Sequence, residues 1–126
     1  MIEKVFYQKA KSDADLMAML PGGVTTEWNT NGELPRAIVS YNFTNNVNNP
    51  VDSGSVSIDI FVRGNSVITV KEIAQKFVAL FDRHLAYTDD TGNTVRFYYA
   101  GGGFVSEPDP QFTHYSLDFN VRYLRG

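Results

Sequence analysis

Between Ser55 and Arg63 apolar and polar residues alternate strictly, with Val56, Ile58, Ile60 and Val62 on one side and Ser57, Asp59, Phe61 and Arg63 on the other. Successive side chains of a strand point to opposite faces, so this spacing predicts a half-buried strand. After Gly64-Asn65-Ser66 the period changes to 3.6. Val70, Ile73, Ala74, Phe77, Leu80 and Phe81 form one stripe, and Lys71, Glu72, Gln75, Lys76 and Asp82 lie opposite. That pattern predicts an amphipathic helix over residues 70–83. Thr69 and Glu72 suit a capping box, and Glu72 with Lys76 an i,i+4 ion pair of about 0.3 kcal/mol.

The other elements are weaker versions of these two patterns. Residues 2–20 read as two short helices, with Ile2, Val5 and Phe6 as one apolar set and Leu16, Met17 and Leu20 as the other. Ser12 with Asp15 marks the start of the second, and Pro21-Gly22-Gly23 ends it. A short strand over Val24 to Trp28 leads through a polar turn and Leu34-Pro35 into a strand over Ala37 to Phe43. Thr44 to Gly54, with four Asn, Pro50, Asp52 and Ser53, reads as a long exposed loop. Leu85 to Thr88 and Val95 to Ala100 flank Asp89-Asp90-Thr91-Gly92-Asn93 and predict a hairpin. Gly101 to Pro110 reads as a connection, since Pro108 and Pro110 oppose regular pairing. Thr113 to Leu124 alternates again and predicts a last long strand.

The order α, α, β, β, β, α, β, β, β predicts a single α+β domain over residues 1–126: a mainly antiparallel sheet of about five or six strands, with helices packed on one face. The second face is mixed, carrying Ile38, Phe61 and Tyr98 among Ser57, Asp59, Ser116 and Asp118. Such a face suits cover by partners or neighbouring subunits.

Composition narrows the function classes. The chain is 43% hydrophobic and 20% charged, which is ordinary globular usage. Eleven basic residues against fourteen acidic ones give a net charge of -3, with the basic residues scattered singly, so tight or sequence-specific nucleic-acid binding is disfavoured. The absence of cysteine excludes disulfides, thiolate nucleophiles and Cys-type zinc sites, and a reducing cytosol is the expected compartment. No apolar stretch approaches the roughly 20 residues that span a bilayer, and residues 1–4 lack the core of a secretion signal, so no membrane association is expected.

Candidate chemistry is sparse. Gly101-Gly102-Gly103 lacks the spacing of a dinucleotide or phosphate loop and reads as a bulge or flexible turn. His84 and His114 have no third ligand at motif spacing, which places one near a helix end and the other on the polar side of a strand. Asp89, Asp90 and Asn93 lack calcium-loop spacing. Glu107 and Asp109 are the one conceivable acid–base pair, with no apolar wall to separate their pKa values. No nucleophile elbow is present, and Asn42-Phe43-Thr44 matches a glycosylation acceptor only where a secretory route exists. Trp28 reads as a core plug, and Arg122 and Arg125 as part of a terminal strand. No catalytic residue, metal or cofactor is assigned.

Several stretches together resemble the tail-completion or tail-terminator proteins of long-tailed phages. They are the opening Ile2-Glu3-Lys4-Val5-Phe6 helix, Ser12-Asp13-Ala14-Asp15-Leu16 entering a second helical turn, and Leu34-Pro35 before a strand. The strand Val56 to Val62 meeting the helix Val70 to Phe81 completes the pattern, which runs along nearly the whole chain. The resemblance implies a non-enzymatic structural subunit that assembles as a homohexameric ring on the head-proximal end of the tail tube. There the ring stops tube growth and joins the head. It implies the tail tube protein and a head-completion or neck protein as partners, DNA passing through the lumen, assembly in the host bacterial cytoplasm and residence in the virion. Another neck or connector subunit, or a small ligand-binding domain or enzyme with a dispersed site, are the alternatives.

The family offers no motif that maps onto single positions, so contact residues follow from the pattern alone. Phe61, Arg63 and Tyr98, on the mixed face, are the expected subunit interface. Asn45, Asn46, Val47, Asn48 and Asn49, in the polar loop, are the expected tube or neck contact.

Overall fold

The computed structural model describes residues 2–26, 33–44, 51–64, 66–82, 87–88, 94–108 and 111–124. Three helices and six strands follow in the order α1 (Ile2–Ser12), α2 (Ala14–Met19), β1 (Val24–Thr25), β2 (Arg36–Thr44), β3 (Val51–Arg63), α3 (Val67–Phe81), β4 (Tyr87–Thr88), β5 (Thr94–Val105) and β6 (Phe112–Leu124). The strands form one sheet in the order β1-β2-β3-β6-β5-β4. Only β1 and β2 are parallel neighbours; the remaining pairs are antiparallel. The α+β class and the mainly antiparallel sheet are therefore as the alternation predicts.

At the centre, β3 and β6 pair without a break from Val51↔Leu124 to Arg63↔Phe112. This register puts Val56 beside Phe119 and Ile58 beside Leu117, all at most 1% exposed. The buried side chains of the helices, including Phe6, Leu16, Ile73 and Phe77, join these residues in one core cluster. Phe6 of α1 stacks on Phe81 of α3 at 4.2 Å, and Phe97 of β5 meets both rings edge-on at 5.4 Å. Offset stacked and edge-to-face pairs are the favoured aromatic geometries, so three distant segments converge here on one well-packed group.

The helix caps lie away from their expected positions. α2 is capped by Asp13, whose carboxylate accepts the Leu16 N–H at 2.8 Å, while the Ser12 hydroxyl donates back to the Lys9 carbonyl. α3 begins at Val67 behind Ser66, so Thr69 already lies inside the helix and the Thr69–Glu72 box does not form. Nor does Lys76 pair with Glu72. Its amine sits 3.7 Å from Asp13 and 3.6 Å from Asp15, tying α3 to the start of α2.

Two segments expected to be irregular are strand. Val51 to Gly54, assigned by composition to a loop over 44–54, pairs with Val121 to Leu124, and Thr44 pairs with Ser53. Ladder hydrogen bonds use backbone groups alone, so polar side chains do not prevent pairing where they face solvent. Residues 45–50 lie outside the described residues, as do Trp28, His84, Leu85 and the tip of the β4–β5 hairpin. The second segment is Gly101 to Val105, which continues β5 along β6 after a register shift between Tyr99 and Gly101. A bulge is present as expected, but the glycines pair rather than turn.

Candidate interaction surface

The face of the sheet opposite the core is built from Arg36, Ile38, Ser40 and Asn42 of β2, the odd positions of β3 from Ser55 to Arg63, and the even positions of β6 from His114 to Arg122. Arg96, Tyr98, Gly101, Gly103 and Val105 of β5 complete it. This face is not uniformly open. Ile38 is 1% exposed and Arg36 is also buried, so the corner expected to await a partner at Ile38 is covered by the chain itself.

The register Phe61↔His114 brings together the most highly organised polar group of the described residues. The His114 ring stacks on Phe61 at 4.2 Å. Its Nε2 lies 2.6 Å from Asp59 Oδ1 of β3, and its Nδ1 lies 2.7 Å from Glu107 Oε1 in the connection between β5 and β6. His114 is 7% exposed. A doubly protonated imidazole donates to both carboxylates, whereas a neutral one has a single N–H to give. With both nitrogens engaged, neither is free to act as a base toward an outside molecule. The group therefore works as a clamp that holds the β5–β6 connection against the central strands.

Glu107, read from sequence as half of an acid–base pair, is consumed by this clamp, and Asp109 lies outside the described residues. The clamp was not visible from sequence, because Asp59 and His114 meet only once β3 and β6 are known to be neighbours. Further down the same face the Ser57 hydroxyl donates to Asp118 at 2.6 Å.

The expected interface residues do not form one patch. Phe61 is half-buried under His114, and Arg63 is exposed at the end of β3 with its guanidinium 5.8 Å from the Phe112 ring centre. Tyr98 pairs with Asn120, which is opposite Ser55, so it lies about 20 Å along the strands from Phe61 at strand spacing. It lines an open polar hollow of about 600 Å³ with Asn42, Gly54, Ser55, Asn120 and Arg122. Asn45, Asn46, Val47, Asn48 and Asn49 lie outside the described residues.

A second surface lies on the core side, where α3 leaves the end of β5 uncovered. Ile68, Val67, Tyr99 and Phe104 are exposed large hydrophobic residues here, and Val105, next to Phe104, is exposed on the opposite face. Phe104 meets Tyr115 edge-on at 5.0 Å, and the Lys71 amine lies 5.7 Å from its ring centre. A groove of about 460 Å³ runs beside them, lined by Lys71, Gln75, Val78, Tyr99 and Tyr115. Burial, then the neighbouring Tyr115 and Asp118, raises the Tyr99 pKa above its ordinary value. Sequence reading missed this surface, although Gly101-Gly102-Gly103-Phe104-Val105 carries the signal of an uncharged strand end.

No family model matches the sequence, and no curated protein matches it either. Solved structures do. The chain superposes on a protein from the structure described as "Virion of native gene transfer agent (GTA) particle" with a TM-score of 0.71 at 15% identity. The match covers 94% of this chain and 91% of that one. A second solved chain, which carries no functional description, matches with a TM-score of 0.76 at 12% identity over 99% of this chain and 94% of its own. At such identities the likeness defines a shared fold.

Proposed function

We propose that this chain is a structural subunit of a phage-like particle, and more closely a tail terminator or tail-completion protein. The observation that carries the reading is the shared fold over 94% of the chain with a component of a gene transfer agent virion. The resemblance of the chain's own motifs to tail-completion proteins points the same way. In this reading the subunit works by shape and contact, without a cofactor or a reaction of its own. It forms a ring, by resemblance a hexamer, on the head-proximal end of the tail tube, stops tube growth and offers its outer surface to the head-completion or neck protein.

The engagement of both His114 nitrogens and the loss of Glu107 to the same clamp support a contact role over an acid–base one. Subunit contacts fall on Arg63 and Tyr98, the two expected interface residues whose side chains are not already committed to a stacked ring. The net charge of -3 suits a lumen through which DNA slides without being retained.

Negative-stain imaging of the protein mixed with purified tail tubes tests the proposal. Rings at one end of each tube are expected. Binding along the tube sides, or none, sinks the terminator role, and binding to the portal side in place of the tube identifies a different neck subunit.

A further inference from the structure

The end of β5 has the chemistry of a docking strand. β4 covers β5 only at Thr94 and Val95, Asp82 bridges to Phe97, and the Asp82 carboxylate accepts the Tyr99 N–H at 2.7 Å. Beyond that point no described residue pairs with Gly101 to Val105 on the side away from β6. Edge strands are usually guarded by lysine, proline or an inward charge, yet Phe97 to Ser106 contains neither proline nor any charged residue.

The three glycines separate internal from external demands. Gly102 is required by packing, since a Cβ there would stand 2.9 Å from the Ser116 carbonyl oxygen and 3.0 Å from Leu117 Cδ2. Gly101 has φ of +144°, which side chains rarely adopt. Gly103 has neither reason, because its φ lies outside that region and a Cβ would meet nothing within 4 Å. Glycine weakens a strand, and one without an internal demand leaves room for the close approach of another backbone.

We propose that this edge pairs antiparallel with the same edge of a second copy of the chain, about a two-fold axis through Gly103. An axis normal to the sheet keeps each face continuous across the seam, so Gly103 opposes itself, Gly102 opposes Phe104 of the copy, and Gly101 opposes Val105 of the copy. Phe104 and Val105 are 49% and 40% exposed in the single chain. Each would lie over a glycine on its own face, the cross-strand arrangement by which a large side chain covers a backbone left bare. The neighbouring in-phase register, centred on Gly102, opposes Gly101 with Gly103 and sets Phe104 against the bulge at Ala100. The register on the other side, centred on Phe104, sets the two Phe104 rings against each other, so matching of large to small residues at both Phe104 and Val105 selects Gly103 as the centre. This contact closes on itself at two copies, so it belongs to the free subunit and does not rest on the tail-terminator reading.

The chain contains no cysteine, so Gly103→Cys introduces a single thiol on the axis. Opposed Cβ atoms in such a pair lie about 4.5–5.5 Å apart, close enough for a disulfide after small adjustment. Mild oxidation is expected to give a covalent dimer, while Asn120→Cys, exposed on the same face of β6, stays monomeric. Gly103→Arg is expected to abolish the dimer in sedimentation equilibrium while keeping the circular dichroism of the unmodified chain and the Tm that chain shows when dilute enough to be monomeric. In that chain the amides of residues 101–105 are expected to gain protection from hydrogen exchange as concentration rises. A chain monomeric at every concentration, whose Gly103→Cys variant cross-links no faster than Asn120→Cys, overturns the pairing and leaves the edge to a different partner. A dimer in which residues 101–105 exchange freely overturns it as well.

Discussion

His114 concentrates several interactions in one ring: two carboxylates at 2.6 and 2.7 Å and an aromatic face at 4.2 Å. His114→Gln replaces two ring nitrogens placed toward different carboxylates by a single amide nitrogen that cannot reach both Asp59 and Glu107, and hydrogen bonds to charged groups contribute about 1.5–3 kcal/mol. Both carboxylates keep some solvent, so a loss of about 1–2 kcal/mol is expected, read as a lower urea midpoint. An unchanged midpoint would remove the clamp from the account. Phe61 belongs to the same group, so Phe61→Ala should lower monomer stability too, and a ring defect in that variant would not by itself locate the interface. Tyr99 gives a separate, alkaline signature. Its folded pKa is raised, chiefly by burial, above the ordinary 10 of the unfolded chain. Once pH passes about 10 the unfolded state has released the proton while the folded state keeps it, so stability falls as pH rises through that window. Tyr99→Phe should flatten the alkaline decline in Tm, and an unaltered decline would show that Tyr99 does not contribute to it.

Among the elements, the starts of α2 and α3 differ in kind. Asp13 caps α2 directly and lies 3.7 Å from Lys76, whereas Ser66 makes no side-chain cap bond and donates to the Arg63 carbonyl instead. Asp13→Ala should cost about 1 kcal/mol and Ser66→Ala only a few tenths, a difference measurable by denaturant unfolding. Equal costs would mean that the cap geometry does not govern α2. The same comparison shows what could be read from sequence. Periodicity located β3, α3 and β6, because burying one face imposes a period that side chains must obey. It could not see Val51 to Gly54 or Gly101 to Val105 as strand, where backbone pairing continues without an apolar face. Capping positions moved by one to three residues because several hydroxyls and carboxylates near each boundary satisfy the same local rule, and tertiary contacts such as Asp13 with Lys76 decide among them. The His114 clamp depended on register between strands far apart in the chain, and no local pattern encodes that.

In the whole molecule, the uninterrupted β3–β6 ladder stands between β2 and β5, under a core in which Val56, Ile58 and Ile60 are wholly buried. At the margins β1 and β4 contribute two residues each, and the end of β5 lacks a described neighbour on its outer side. Local opening is easiest where few buried contacts oppose it. Native-state hydrogen exchange of the dilute chain should therefore rank the amides around Ile58, Leu117 and Phe119 slowest, at the free energy of global unfolding. Those of β1, β4 and Gly101 to Val105 should exchange fastest among the strands. Because this ladder joins segments from distant parts of the sequence, its formation must await long-range closure, and folding should be slower than for a helical bundle of equal size. The margins that open first are also those where another strand can be added without breaking the centre of the sheet. If β4 or the end of β5 were as protected as Ile58 in the dilute chain, stability would be spread evenly across the sheet, and neither edge would be poised to accept another strand.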